Sequence, residues 1–398
     1  MLKIKISDLK KIVFFMMVWT FFSLNSRYLA VPYAGILRWG FIALLVMLVA
    51  YEKKGLISAP PALIAFFGIA VLPSLYSSIA RFESLEKILA FAFVVWGCYI
   101  FFMSINNADD YLQILRIVIL VIILFEVQNI ICMVLGIGYD AGTSRALGNT
   151  TNSNTLGVYS NIAFIATYYV AKREKGIEKY LSYGLMLVAG ILVVLSGSRG
   201  AAATLIINIT ILFILRLNNW IIKVISLILG GGGIYLLLSG KVVLPNFVGL
   251  NRLLQKGGMD RGDFWEKGID IWKQFPVFGC GYNISLYYNY VWEAKSYMAF
   301  HNSYLSYLAE TGIWGYIFLG GYLVKHIFLF LKNMFREWRK GVFSEFSVAL
   351  LMLINIAFAG YAESFLFAVG STEGCLFWML FVWLYGYLKH KKMIHRIN

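Results

Sequence analysis

The chain has 398 residues, of which 60% are hydrophobic and only 14% are charged. Soluble proteins carry about half apolar and about a quarter charged residues, so this composition excludes an ordinary soluble enzyme and makes lipid the main solvent. The formal net charge of +15 would suit a nucleic-acid-binding protein, but the distribution of the basic residues, given below, argues against that role.

Apolar runs of about 20 residues, the length needed to cross a bilayer, recur along nearly the whole chain. They are predicted at 9–26, 33–51, 60–80, 88–105, 112–137, 153–171, 181–198, 200–217, 220–240, 302–331, 344–362 and 373–389. The turn between the seventh and eighth runs is so short that ten to twelve helices is the expected range. The predicted fold class is therefore all-α, a polytopic membrane helix bundle with about 12 transmembrane helices.

Basic residues are concentrated in alternate connections between these runs. Those connections hold Lys3, Lys5, Lys10, Lys11, Lys53, Lys54, Lys172, Arg173, Lys175, Lys179, Arg216, Lys223, Lys332, Arg336, Arg339, Lys340, Lys389, Lys391, Lys392 and Arg396. This is the positive-inside pattern, so both termini are predicted to be cytoplasmic. The first run lacks a convincing cleavage site and is expected to stay as a helix.

The bundle is interrupted once, by a long outer loop between the ninth and tenth helices. The predicted parts are 1–240 with nine helices, 241–301 as the loop, and 302–398 with the last three helices. Within the loop, residues 260–275 have helical spacing, with an aspartate to cap the start and Pro276 to end it. This amphipathic segment is expected to lie along the membrane surface, with Arg261 in its first turn.

Two charged residues open helices at their predicted outer ends. His301 begins the tenth helix, where a histidine can exchange protons near neutral pH or merely cap the helix. Arg199 begins the eighth helix among very small residues, where free N–H groups and the helix dipole favour an anion such as phosphate. The alternative for Arg199 is an anchor at the membrane interface.

Further polar residues stand out within apolar sequence. Arg145 and Asn154 flank the start of the sixth helix, where they could bind sugar hydroxyls or serve as turn and cap residues. Glu310 lies on the opposite helix face from His301, so no pair is predicted, and a partner on another helix is expected for it. Glu363 is a further ionisable residue, near the end of the eleventh predicted helix.

No metal-ligand or redox spacing is present, and neither a metal nor a cofactor is expected. The four cysteines are scattered, and inert, unpaired thiols are the prediction for Cys98, Cys132, Cys280 and Cys375.

Four motifs, in this order, resemble the O-antigen ligase and surface-polysaccharide polymerase superfamily. They are Ser198-Arg199-Gly200, Arg261 with Trp265, Pro276-x-x-Gly279-x-Gly281, and His301-Asn302-x-x-Leu305-x-x-Leu308-x-Glu310-x-Gly312-x-x-Gly315. The resemblance covers residues 196–318, whereas the first five helices match the superfamily only in character.

The resemblance implies a metal-independent membrane glycosyltransferase of the multi-helix, glycosyltransferase-C-like type in the bacterial inner membrane, with an outward-facing active site. Its donor is a glycan on undecaprenyl pyrophosphate, and further expected partners are membrane lipid, a chain-length regulator and a flippase. By resemblance, Arg199 and Arg261 bind pyrophosphate and His301 is the base for the acceptor hydroxyl. The other candidates are Arg145, Asn154, Asn302 and Tyr304 for substrate binding, with Glu310, Glu363 and Trp265 in support.

Three activities compete. A polymerase of O-antigen, capsule or exopolysaccharide transfers the glycan to a lipid-linked repeat unit, whereas a ligase transfers it to lipid A core. Many ligases carry a second histidine just before the position of His301, and here Tyr297-Met298-Ala299-Phe300 has none, which favours a polymerase. A lipid-linked sugar transporter or flippase would show internal repeats and midplane binding residues, and neither is evident.

Overall fold

The computed structural model describes residues 5–55, 57–76, 79–143, 145–214, 219–239, 261–291, 296–297, 299–339 and 342–397. Several predictions fall outside these residues, namely the 241–260 part of the outer loop, the cap at Asp260, and Lys3, Arg216, Lys340 and Met298. The side chains of Arg261, Lys392 and Arg396 are likewise outside the description.

The described residues are almost entirely helical. The helices are α1 Ile6–Ser23, α2 Ala34–Lys53, α3 Pro61–Tyr76, α4 Arg81–Met103, α5 Ala108–Val134, α6 Ser153–Arg173, α7 Gly176–Leu195, α8 Arg199–Ile214, α9 Trp220–Ser239, α10 Arg261–Gln274, α11 Ser303–Gly315, α12 Gly321–Trp338, α13 Glu345–Ala359 and α14 Thr372–Ile397. A 3₁₀ helix, Ser285–Tyr288, precedes an antiparallel pair of two-residue strands, β1 Tyr290–Val291 and β2 Ser296–Tyr297. A π-helical segment, Tyr316–Gly320, joins α11 to α12.

The helical prediction is confirmed, and each predicted apolar run coincides with a helix. Within the described residues, five helical segments are long and apolar enough to cross a membrane. They are Ala34–Lys53, Arg81–Met103, Ala108–Val134, Gly176–Leu195 and Ser303–Trp338, the last spanning α11, the π segment and α12. The protein is therefore a helical membrane protein, and the larger count of about 12 spans stays a prediction.

Ion pairs bring the predicted inner connections together at one end of the bundle. The pairs are Lys10 with Glu52 at 2.6 Å, Lys11 with Asp110 at 2.6 Å, Lys391 with Glu337 at 3.1 Å, and Arg173 with Glu345. They join the start of α1 to the end of α2 and to the start of α5, the end of α6 to the start of α13, and the end of α12 to α14. Alternate connections thus share one end, as the charge pattern predicts, and the polar residues singled out above lie at the other.

The core surrounds α14, whose residues from Cys375 to Leu384 are all buried. A helix that is apolar on every face belongs inside the bundle, and α14 contacts α13, α4, α5 and α1. Three buried amides, on Asn161, Asn208 and Asn355, tie α6, α8 and α13 together. Because these hydrogen bonds lie in apolar surroundings, they fix the relative positions of three helices that carry the candidate site at the end opposite the ion pairs.

Candidate functional site

The connection between α13 and α14 folds over the start of α11. The backbone N–H of Ser303 donates to the carbonyls of Gly360 and Glu363, at 2.8 and 3.0 Å. The Ser303 hydroxyl donates to the Glu363 carbonyl at 2.5 Å and accepts from the backbone N–H of Phe365 at 3.0 Å. These bonds satisfy polar groups at the helix terminus and fix residue 363 beside residue 301.

His301 lies just before α11 and is held against a carboxylate. Its Nδ1 is 3.3 Å from Oε2 of Glu363, and about a third of its side chain is exposed. Its backbone φ is +51°, a left-handed conformation that costs about 1–3 kcal/mol for a non-glycine residue unless its surroundings enforce it. Phe264 of α10 meets the ring edge to face, with centroids 6.0 Å apart. His301 is therefore a positioned side chain that solvent can still reach.

A chain of polar contacts continues from Glu363 to two other predicted residues. Asn154, in the first turn of α6, donates from Nδ2 to Oε1 of Glu363 at 2.7 Å. Arg145, in the connection before α6, donates from Nη2 to Oδ1 of Asn154 at 2.7 Å. Its Nε donates to the carbonyl of Ser196 at 2.7 Å. The structure thus joins Arg145, Asn154, Glu363 and His301 in one cluster, which the sequence had left as separate points.

Arg199 begins α8 at the same end of the bundle. The α8 start approaches the rest of the site closely, because a Cβ on Gly200 would lie only 3.5 Å from the Cβ of Ala362. On its other side, a Cβ on Gly157 of α6 would lie 2.6 Å from the Cβ of Ala201. Small residues here let the N-terminus of α8 lie close to Ala362, the residue directly before Glu363.

The amphipathic segment of the outer loop forms α10, as predicted, and begins at Arg261. Its apolar side packs against the protein, because Phe264 and Ile271 are buried, and its position along the membrane surface stays a prediction. A Cβ on Gly268 would lie 2.7 Å from Leu305 of α11, which shows how closely the two helices pack. Because Phe264, three residues after Arg261, also contacts His301, the start of α10 lies near His301.

Trp265 connects α10 to the segment between α13 and α14. Its ring meets that of Tyr361 edge to face, with centroids 5.1 Å apart. Tyr361 lies two residues before Glu363 and is about half exposed. Tyr361 could not be identified as a site residue from its type or position, because an aromatic residue at the end of a membrane helix is common.

Two residues predicted to bind substrate are engaged in the protein itself. Asn302 is buried, and its Oδ1 accepts from the backbone N–H groups of Tyr304 and Leu305, both at 3.1 Å, as the N-cap of α11. The Tyr304 hydroxyl donates to the carbonyl of Ala357 at 2.7 Å. We therefore assign both side chains to holding α11 in place and leave them out of the proposed substrate contacts.

Glu310 is buried, but its partner is not the one predicted. Its Oε1 accepts from the Ser285 hydroxyl at 2.6 Å, so the expectation of a partner on another membrane helix is wrong. The outer loop supplies the partner instead, because the turn predicted at 276–281 enters a break in α11. There Ile313 N–H donates to the Pro276 carbonyl at 2.9 Å, and Gly281 N–H donates to the Glu310 carbonyl at 3.1 Å.

Among the described residues, no group of three or more His, Cys, Asp or Glu side chains is arranged to hold a metal ion. Arginines are the candidate ligands for an anion at this end of the bundle. Two residues of the site, Arg145 and Arg199, have described side chains. Guanidinium groups bind phosphate oxygens through parallel hydrogen bonds, so an arginine-based anion site is chemically sufficient.

Residues 184–320 match the protein-family model described as O-antigen ligase. No curated protein matches the chain. The matched range contains seven of the ten predicted site residues, all except Arg145, Asn154 and Glu363. It supports the O-antigen ligase and polymerase superfamily, whose members are glycosyl-transfer enzymes acting on lipid-linked polysaccharides.

Proposed function

We propose that this chain, which resembles the O-antigen ligase and polymerase superfamily, is a surface-polysaccharide polymerase. It transfers a glycan from undecaprenyl pyrophosphate to a lipid-linked repeat unit on the outer side of the bacterial inner membrane. The observation that carries the proposal is the pairing of His301 with Glu363, 3.3 Å apart. This pair stands at the same end of the bundle as the Arg199 helix start, and His301 and Arg199 both lie inside the family-matched range.

His301 is proposed as the general base. Its imidazole removes the proton from the acceptor hydroxyl as that oxygen attacks the anomeric carbon of the donor sugar. The new glycosidic C–O bond forms while the C–O bond to the pyrophosphate breaks, and undecaprenyl pyrophosphate leaves with the electron pair. A positioned base typically contributes about 100- to 10,000-fold in rate.

Arg199 and Arg261 are proposed to stabilise the leaving group without a metal. Negative charge grows on the pyrophosphate as the bond breaks, and fixed cations in a water-poor site are most effective where charge develops. Arg199 adds the N-terminal end of the α8 dipole to its own charge. Arg261 lies at the start of α10, and α10 packs against α11 near Leu305, four residues after His301.

One observation favours a polymerase over the alternative, a ligase that transfers to lipid A core. The residue directly before His301 is Phe300, which is buried against Ile271 and Cys280. This position therefore holds a buried phenylalanine in place of a second histidine that could face substrate. The transporter alternative is less well supported, because the polar cluster lies at helix ends and not at the middle of the bundle.

The test is a polymerisation assay with lipid-linked repeat units and membranes that contain the full-length chain. We expect His301→Ala to lower polymer formation by about 100- to 10,000-fold, with single repeats accumulating. His390→Ala is the matched control. His390 lies in the C-terminal part of α14, far along the helix from Glu363, so this variant should keep parent activity. Normal polymer from His301→Ala would overturn the base assignment. Transfer to added lipid A core, without polymer, would indicate the ligase.

A further inference from the structure

We propose that Arg145 and Asn154 are positioning residues that act through Glu363 to select the tautomer of His301 with an unprotonated Nε2. This inference rests on the proposed function, in which His301 is the base. It revises the prediction that Arg145 and Asn154 contact substrate, and it gives each of them a definite task.

The first step is the orientation of the Asn154 amide. A guanidinium can only donate hydrogen bonds, so the amide atom 2.7 Å from Nη2 of Arg145 must be the oxygen. The Asn154 NH₂ group then faces Oε1 of Glu363, at 2.7 Å. A flipped amide would set donor against donor at Arg145 and acceptor against acceptor at Glu363. The two flanking charges therefore define one orientation.

The second step is the effect of the oriented Glu363 carboxylate on the tautomer of His301. With Oε1 of Glu363 bound by Asn154, Oε2 is the oxygen directed at Nδ1 of His301, 3.3 Å away. An ionised carboxylate only accepts, so Nδ1 carries the proton and the lone pair is on Nε2. A base that removes a proton needs that lone pair. The separation is slightly long for a hydrogen bond, as is common before substrate binds.

The third step is the rigid placement of Arg145, the first residue in this series of hydrogen bonds. Nε of Arg145 donates to the carbonyl of Ser196, in the turn between α7 and α8. Gly197 in that turn has φ +62°, and a Cβ there would lie 3.2 Å from Nε of Arg145. The same turn leads directly into Arg199. The turn that holds the Arg145 guanidinium therefore also precedes the proposed donor ligand, Arg199, by only a few residues.

The experiment measures kcat and KM for both substrates with the purified full-length chain and lipid-linked repeat units. Glu363→Gln has the shape of the parent, but its NH₂ group can donate to Nδ1 and so favour the proton on Nε2. We expect kcat to fall by about 1,000- to 10,000-fold with little change in donor KM, as when an orienting carboxylate becomes an amide. Asn154→Asp turns an acceptor toward Glu363, and we expect a loss of about 10- to 100-fold in kcat.

Asn152→Asp is the matched control. Asn152 caps α6 two residues away through Oδ1, and Asp is an equally good cap, so this variant should keep parent kcat. A second control places Glu363→Gln and Asn154→Asp in the His301→Ala background. Because both residues act through the histidine, neither change should lower the residual rate further.

The outcomes separate the two proposals. If His301→Ala is inactive while Glu363→Gln and Asn154→Asp keep parent kcat, the positioning role is overturned and the proposed base stands. If the two substitutions lower the residual rate of His301→Ala as much as they lower the parent rate, they act independently of the histidine, which also overturns it. If His301→Ala itself is fully active, the base assignment fails and the inference with it. Melting temperatures of all variants exclude misfolding as the cause of a low kcat.

Discussion

A substitution of Gly312 tests how the outer loop is attached to α11. This glycine has φ +61° and ψ −168°, a region that other residues enter only at a cost of about 1–3 kcal/mol. A Cβ would also collide with the Val277 carbonyl and lie 2.6 Å from the Phe278 nitrogen. The turn would have to move, which endangers the hydrogen bonds from the N–H groups of Ile313 and Trp314. Each such bond contributes about 0.5–1.5 kcal/mol.

Together these effects predict that Gly312→Ala destabilises the protein by about 2–6 kcal/mol. The assay is the apparent melting temperature of the detergent-solubilised chain, taken at one heating rate because unfolding of membrane proteins is often irreversible. Gly321→Ala is the control, since Gly321 lies in a regular helix with nothing within 4 Å of an added Cβ. It should leave the melting temperature unchanged or slightly raised. Equal melting of Gly312→Ala and the parent would refute the proposed contact between the turn and α11.

Two further predictions concern orientation and anion binding. A cysteine at Asp270, which is exposed on α10, should react with an impermeant maleimide on intact cells, whereas one at Asp109 should react only after permeabilisation. The described cysteines are all buried and should give little background, and Asn289 is unsuitable as a probe because it is buried. The reverse labelling pattern would contradict the topology. Arg199→Lys and Arg261→Lys keep the charge but lose the paired planar donors, so polymer should fall sharply at near-normal protein level. Parent-like activity of both lysine variants would leave these arginines as interface anchors.

The positions of the helices could be predicted from local sequence, although several ends, such as the starts of α4 and α7, differ from the prediction by five or more residues. Apolar runs and small polar caps act within a few residues, so the run at 153–171 became α6 and the run at 112–137 became α5 with little change. The turn at 276–281 and the start of α10 were also predictable, because proline and glycine restrict the backbone wherever they occur.

The assembly of the site could not be predicted in the same way. Glu363 and His301 are 62 residues apart, and only the packing of the α13–α14 connection over α11 brings them together. Glu310 was correctly separated from His301 by helix periodicity, but its partner Ser285 begins a four-residue 3₁₀ helix of the outer loop, which is too short to show a periodic pattern. Asn302 carries the same amide group whether it caps a helix or binds a sugar, so residue type alone could not distinguish the two uses.

The candidate site draws residues from outside the family-matched range, so that range cannot be transferred to another family member as a complete site. The family-matched range 184–320 holds the proposed base and both proposed pyrophosphate ligands, but Arg145, Asn154 and Glu363 lie outside it on either side. A hybrid that received only this range from another family member would combine a native histidine with a foreign orienting carboxylate and amide. We therefore expect exchange of glycan specificity between relatives to succeed only when the segments before α6 and after α13 are exchanged with it.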